Sequence, residues 1–324
     1  MSELACPACG NIWEPGTARV SPHEAVRRFD NLKPLQRDIL WCLYRWTIMS
    51  HNQIGRLFSD AEAQRHRANF TTGQMRVLTS AKLVVPQRHG STTFYFLSPG
   101  GIYACESDQR KRPRLREAQG QLLVGRGHWQ HRLYTVDVAA SFAKEERRGR
   151  GRLTTWLNDG DVIYHFPLGG SRRRLQPDGF GEWSDGDTLF QFFLELERTR
   201  YDRAATTDKV KHYSALEEAR RKGNWTEAKP ESARVTLPFP PVLYVATNRQ
   251  VLPTLRRSIV DGVALGGVLV DADKKLAFGL ALLEDVMAKG PLAAIWEAPL
   301  QGATGLSLTD LYQFTGGLGR VQAS

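Results

Sequence analysis

Three carboxylates stand where this chain could do metal-ion or phosphate chemistry. Asp178 lies in Arg174-Leu-Gln-Pro-Asp-Gly-Phe180, and Glu195 and Glu197 lie in Leu189-Phe-Gln-Phe-Phe-Leu-Glu-Leu-Glu-Arg198. In the second stretch Phe190, Phe192, Leu194 and Leu196 share one face of a period-two pattern, and Gln191, Glu195 and Glu197 share the other. Two carboxylates at i and i+2 therefore stand side by side on the polar face of an apolar strand. Clustered carboxylates repel one another, so a site holding them usually also holds a divalent cation, a buried base or a lysine. Few, hard oxygen donors with water completing the shell suit Mg²⁺. The alternative is that Glu195 and Glu197 form the solvated face of an edge strand. Spacing alone does not separate the two.

The elements that must position these residues can be read on either side of them. Leu175 to Phe180 is strand-like, and the Gly181 to Gly186 stretch can turn the chain back. Pairing the two strands as a hairpin brings Asp178 and Glu195 together across the ladder. Upstream, His131, Leu133, Tyr134, Val138 and Phe142 give a helix closing at Arg147-Arg-Gly-Arg-Gly-Arg152, with short strands at Leu153 to Leu157 and near Val162 to Phe166. Downstream, a helix is expected over Thr206 to Lys222, with Lys209, His212, Tyr213 and Leu216 on neighbouring turns. Pro241 to Thr247 is a wholly apolar strand, suited to the centre of a sheet covered on both faces. Val251 to Val260 reads as helix and Leu292 to Trp296 as a last strand.

Pro177-Asp178 followed by Glu195-Leu-Glu197 at the end of an apolar strand resembles the core of the PD-(D/E)XK nuclease superfamily, and the order helix, strands, helix, strand agrees with a restriction-endonuclease-like core. The resemblance implies a central mixed sheet and a Mg²⁺ held by Asp178 and Glu195. It departs at one position. Glu197 stands where the superfamily has the lysine that positions the attacking water. Lys209 or Lys211, on the following helix, is then the source of a migrated cation. In an active site of this kind the metal lowers the pKa of a bound water, Glu197 ligates a second ion or orients water, and Lys209 or Arg198 stabilises the phosphate transition state.

From Arg27 to Cys105 the pattern is cleaner. Leu35, Ile39, Leu43 and Trp46 recur at helical spacing after Pro34. Ser50-His-Asn-Gln53 is a capping box opening a helix through Ile54, Leu57 and Phe58, and Thr71-Thr-Gly-Gln74 gives another, through Met75 and Leu78. Leu83 to Pro86, a His89-Gly90 turn and Thr92 to Leu97 make a hairpin. Three helices followed by a hairpin resemble a winged helix-turn-helix, a fold whose third helix enters the major groove while the wing contacts backbone. The resemblance makes Gln74, Arg76 and Thr79 exposed candidates on a recognition helix, with Lys82 near its end and Arg88 and His89 at the wing tip. Winged helices also dock proteins, but between positions 51 and 90 the basic residues outnumber Asp60 and Glu62, which favours DNA.

Composition agrees. The chain has 324 residues, 41% hydrophobic and 10% aromatic, so it is globular and long enough for two cores. A net charge of +10 favours a polyanion, DNA or RNA, over an acidic small molecule, and the winged-helix resemblance makes double-stranded DNA the expected partner. No apolar run reaches membrane-spanning length, and Met1-Ser-Glu-Leu-Ala lacks the features of a signal peptide. Four cysteines do not make a disulfide framework, so a cytoplasmic protein is expected. Cys6-Pro-Ala-Cys9 reads like one knuckle of a zinc ribbon, but a structural Zn²⁺ needs four ligands. His23 or a second subunit would have to complete it; otherwise the segment is a tail with reduced thiols. Arg110-Lys-Arg-Pro-Arg-Leu-Arg116 is a solvated linker or a phosphate-tracking arm, and both readings can hold together.

These readings divide the chain into a tail over 1–26, a winged helix over 27–105, a basic linker over 106–126 and a nuclease-like α/β domain over 127–324, an α+β two-domain protein. Pro177-Asp178-Gly179, then Phe193-Leu-Glu-Leu-Glu197-Arg198, then Lys209 and Tyr213, behind a winged helix, resemble the replication-relaxation family of plasmid and mobile-element proteins over roughly residues 30–300. His131 also matches a recurring position of that family, although a lone helical histidine is more often packing than catalysis. The family resemblance implies a DNA-binding protein tied to plasmid replication or relaxation, or to its regulation. Two function classes follow: a DNA-binding accessory whose nuclease-like domain grips without cutting, and a Mg²⁺-dependent endonuclease. A zinc-dependent transcription factor, a third, lacks ligands. A lone winged helix reads a short site, and a homodimer is one way to lengthen it.

Overall fold

The computed structural model describes residues 20–60, 63–108, 129–198, 202–227, 239–265 and 276–315. The chain separates into two units, Met1–Val136 and Asp137–Ser324.

In the first unit, Ser21 caps α1 (Pro22–Asp30), its Oγ accepting from the Glu24 N–H at 3.3 Å. Pro34 opens α2 (Pro34–Trp46), whose buried stripe is Ile39, Leu40, Leu43 and Trp46. The expected capping box closes the start of α3 (His51–Phe58): the Gln53 N–H donates to Ser50 Oγ at 3.2 Å and the Ser50 N–H to Gln53 Oε1 at 2.8 Å. The second expected box is not one. Helix α4 runs from Gln64 to Ser80 without a break. Thr71 Oγ1 and Thr72 Oγ1 donate back to the Arg67 and Ala68 carbonyls, each at 2.9 Å, so the hydroxyls are used inside the helix. Nothing in Gln64 to Phe70 breaks a helix, and the cap motif is overridden.

Strands β2 (Val84–His89) and β3 (Thr92–Leu97) form the expected hairpin, with Gly90 at φ 58° in its turn. A short β1 (Met49–Ser50) adds to β3, giving the order β1-β3-β2. Two helices were not legible: α1, and α5 (Pro99–Asp108), which carries Cys105. Pro99 opens α5, and Ser98 Oγ accepts from the Gly101 N–H at 3.0 Å.

Helix α6 (Trp129–Arg147) leads into the second unit. Its strands are β4 (Arg152–Asn158), β5 (Tyr164–Leu168), β6 (Ser171–Leu175), β7 (Gly179–Ser184), β8 (Leu189–Glu197), β9 (Thr226–Glu227), β10 (Val242–Ala246), β11 (Phe278–Leu282), β12 (Trp296–Ala298) and β13 (Ala303–Leu306). Its other helices are α7 (Arg203–Arg221), α8 (Leu252–Leu265), α9 (Leu283–Lys289) and α10 (Leu308–Gln313). Seven strands form one mixed sheet in the order β13-β12-β11-β10-β8-β7-β4. β8, β10 and β11 run parallel, with α7 and α8 as the crossovers. β6-β5-β9 form a separate small sheet.

The sheet is covered on both faces. Phe142 of α6 stacks on Phe192 and packs against Trp183 on one side. Val210, Tyr213 and Leu216 of α7, with Leu255 and Ile259 of α8, cover Phe193, Tyr244 and Phe278 on the other. Gly262 lets the two crossovers close up, since a Cβ there would sit 2.6 Å from Val210 Cβ. The apolar β10 is buried at every position, as its sequence requires. The strand expected over Leu292 to Trp296 begins only at Trp296, as β12, and is not the last, since β13 follows it; β11 answers to no expected element.

β8 is not an edge strand. It lies between β10 and β7, and Phe190 to Leu196 are all buried. The solvated-face reading of Glu195 therefore fails.

Candidate functional site

The alternation expected for β8 holds, but its polar face is roofed by a helix rather than by water. After β8 the chain turns into α7, which lies back across the sheet. Asp202 caps α7, its Oδ1 accepting from the Ala205 N–H at 3.1 Å. Thr206, Lys209 and Tyr213, at i, i+3 and i+7, share one face of the helix. They meet the alternating residues of β8 in reverse order. Thr206 Oγ1 donates to Glu197 Oε1 at 2.9 Å, Lys209 Nζ to Glu195 Oε2, and the Tyr213 hydroxyl to Glu195 Oε1 at 2.5 Å. Thr206 to Lys209 rises about 4.5 Å along a helix, and Glu197 to Glu195 about 6.6 Å along a strand. A long side chain closes the difference.

The β7–β8 hairpin delivers Asp178. Gly179 pairs with Leu194, so Asp178 falls one step further along, opposite Glu195. It sits between β6 and β7 rather than inside a strand; Pro177 has no N–H for a ladder, and the extended run expected there is interrupted. The Asp178 N–H donates to the Leu194 carbonyl at 3.1 Å, and Asp178 Oδ2 accepts from the Leu196 N–H at 2.8 Å. Asp178 Oδ1 is 3.8 Å from Lys209 Nζ. Asp178, Glu195 and Lys209 thus converge, with Glu197 one turn of the pleat away. Among the described residues, Lys211 and Arg198 form no ion pair with these carboxylates. His131 lies on α6 in the first unit.

Glu195 is only 2% exposed. Burial pushes its carboxyl up to about 8; the positive charge of Lys209 opposes this, and the charge of Asp178 adds to it. Lys209 moves the same way for a different reason. Burial works against its charge, but Glu195 and Asp178 outweigh burial and hold it above the ordinary lysine range. The Tyr213 hydroxyl is raised well above its usual value by burial and then by Glu195, so it remains a donor. In the sequence Tyr213 and Thr206 stand as helix positions without a role. Their i, i+3, i+7 spacing with Lys209 against the i, i+2 spacing of Glu195 and Glu197 was the signal.

As arranged, the carboxylates do not fit a divalent cation. Both Glu195 oxygens and one Asp178 oxygen already accept hydrogen bonds from protein donors, and the Lys209 ammonium occupies the position between the carboxylates. A Mg²⁺ there would have to displace it. Cys6, Cys9 and the basic run Arg110 to Arg116 lie outside the described residues, so the zinc and linker-arm readings find no structure here. Cys42 is half-buried on α2, and burial pushes the Cys105 thiol up, away from the thiolate a metal needs.

In the first unit the expected DNA-contact residues divide. Arg76, Lys82 and Arg88 are exposed. Arg65, Asn69 and Thr72 lie on the same exposed face of α4 as Arg76. Lys82 takes φ 56° just past the helix end, as a C-terminal cap residue does. Gln74 and Thr79 are half-buried rather than exposed. Gln74 Oε1 accepts from Gln36 Nε2 of α2 at 3.1 Å, because it sits one turn from the buried Thr71 and Leu78. His89 leans on Trp129, with ring centroids 4.9 Å apart, and Arg88 Nε donates to the Gly90 carbonyl at 3.1 Å.

The replication-relaxation family matches residues 40–230, more than half of the chain and all of the cluster just described. The chain belongs to that family. Comparison with curated proteins gives no match. Among solved structures it is similar to protein VC1899 from Vibrio cholerae, at 11% identity and a TM-score of 0.26, over 88% of this chain and 63% of that one. This chain therefore spans less than two thirds of that protein's length. No helix among the described residues is long and apolar enough to cross a membrane.

Proposed function

We propose that this protein binds duplex DNA and acts in the replication or relaxation of plasmid or mobile-element DNA, or in its regulation. In this reading α2, α3, α4 and the β2–β3 hairpin are a winged helix-turn-helix, with α4 reading the major groove through the Arg65, Asn69, Thr72 and Arg76 face. Arg88 and Lys82 hold backbone. The second unit is a PD-(D/E)XK-like core kept for grip. The observation that carries it is the closed Asp178–Glu195–Lys209 cluster. In this reading Lys209 stands among the carboxylates where catalysis would need an exchangeable cation. Arg76→Glu with Arg88→Glu should weaken binding of a short duplex and flatten its salt dependence by about 0.9 per lost phosphate contact. Unchanged affinity and slope would remove the winged helix from the DNA-reading role.

A second reading, a Mg²⁺-dependent endonuclease, has one observation in its favour. Lys209 brings from a helix the cation that β8 lacks at Glu197. Incubating supercoiled, linear and single-stranded DNA with Mg²⁺ or Mn²⁺ separates the two. Intact DNA with retained binding supports grip without cutting. Cleavage that Asp178→Ala and Glu195→Ala both abolish makes the protein an endonuclease.

A further inference from the structure

The β5–β6 hairpin is the most basic regular element of the second unit, and the cluster chemistry does not use it. Gly169 and Gly170, at φ 61° and 76°, form a tight two-residue turn that sets the register Leu168–Ser171 through Tyr164–Leu175. β6 is an outer strand of its sheet, opposite β9, and Arg172, Arg173 and Arg174 are all exposed. Arg172 and Arg174 share one face with His165, the cross-strand partner of Arg174. Arg173 lies on the other face, beside α7. There burial depresses the His212 pKa, Asp208 opposes the shift, and Arg173 with Lys211 deepens it.

The partners of these arginines are neutral. Arg172 Nη2 donates to Thr226 Oγ1 at 3.0 Å and Arg174 Nη2 to Gln176 Oε1 at 2.5 Å. Among the described residues none of the three forms an ion pair. Several other arginines of the unit do pair: Arg148 and Arg150 with Glu145, Arg203 with Asp261 and Arg256 with Glu297. One charge on an exposed edge is enough to discourage strand pairing. Three consecutive guanidinium groups, whose planar forks match phosphate oxygens, call for a polyanion.

Position argues the same way. Arg174 and Asp178 are four residues apart, so their Cα atoms lie within about 14 Å of each other. That is about four nucleotide steps of duplex rise. A backbone held by the arginines therefore passes close to the Asp178–Glu195–Lys209 cluster.

We propose that the β5–β6 hairpin is a second DNA contact, separate from the first unit, in which Arg172, Arg173 and Arg174 hold the phosphodiester backbone and lay it across the carboxylate–lysine cluster. This rests on the DNA-binding reading above. The test is the salt dependence of binding of a short fluorescent mixed-sequence duplex to the full chain. Wild type is compared with R172Q/R173Q/R174Q, R172K/R173K/R174K and the three single glutamine variants. The triple glutamine variant should keep its circular dichroism spectrum and Tm but lose about 0.9 of the log–log slope per arginine that meets a phosphate. Its affinity at 0.1 M salt should fall about eightfold per contact. The lysine variant should restore the slope. A wild-type slope in the triple variant overturns the hairpin contact and leaves DNA binding intact. Absence of any wild-type binding overturns the underlying reading before a variant is made. If the triple variant misfolds, the single variants decide on the same slope, since each side chain is exposed.

Discussion

Replacing Glu195 by glutamine should flatten the pH dependence of stability in a window set by the site itself. Glu195 is buried and its pKa is raised from 4.5 to about 8. Between those values the folded state holds a proton that the unfolded state has released. Its stabilising effect is complete below pH 4.5 and is lost as pH rises through about 8. One such proton gives a slope of about −1.4 kcal/mol per pH unit in mid-window. Lys209 and Tyr213 are raised above their already high values, so neither titrates there. Glutamine keeps the shape, and its amide oxygen still accepts from Lys209, whose second carboxylate is Asp178 at 3.8 Å. The Tyr213 hydroxyl can turn to accept from the amide N–H. The assay is urea unfolding of wild type and Glu195→Gln from pH 5 to 9. Subtracting the two curves removes every other group that titrates, His212 included. The difference should grow by about 1.4 kcal/mol per unit in mid-window, with the variant gaining on wild type as pH rises. Parallel curves would show that Glu195 is ionised throughout, and the argument from its burial would fall.

Tyr213→Phe removes the hydroxyl that donates to Glu195 Oε1 and leaves a buried carboxyl oxygen short of a partner. The expected cost is about 1–3 kcal/mol of unfolding free energy, and a loss within experimental error would mean the hydrogen bond adds nothing net. Gly181→Ala puts a Cβ 2.2 Å from Phe192 Cζ in the middle of the β7–β8 ladder. It should destabilise by about 1–3 kcal/mol through forced repacking, read as a lower Tm; an unchanged Tm would mean the aromatic layer can give. Ser50→Ala removes the acceptor that caps α3 and should cost about 1 kcal/mol in the same measurement, while Ser50→Gly should cost only a few tenths.

Much of the architecture was legible because local chemistry and tertiary structure agree. Ser50 and Gln53 satisfy two otherwise unpaired donors wherever a helix starts, and β10 is apolar on both faces because the sheet buries both. Thr71 failed as a cap because a motif of four residues does not outweigh a favourable turn of helix before it. α1 and α5 were missed because their stripes are short. β11 was missed because Phe278 to Leu282 is an apolar run too brief to distinguish from helix by period.

The carboxylate site sits at the boundary of what one strand can reveal. Alternation in β8 put Glu195 and Glu197 on one face, but it could not say whether that face meets water or a helix. The answer lies in α7, where Thr206, Lys209 and Tyr213 carry donors at helical spacing while the strand opposite carries acceptors at period two. A solvated face needs no such match, because water supplies donors at any spacing. A roofed face does need it, since each buried acceptor must find its donor within reach of a fixed helix. Two periodicities bearing complementary chemistry, joined by a short connection, are therefore a stronger sign of an internal site than either pattern alone. The same criterion separates Lys209, which falls on the matched face, from Lys211, two positions on and turned away from it.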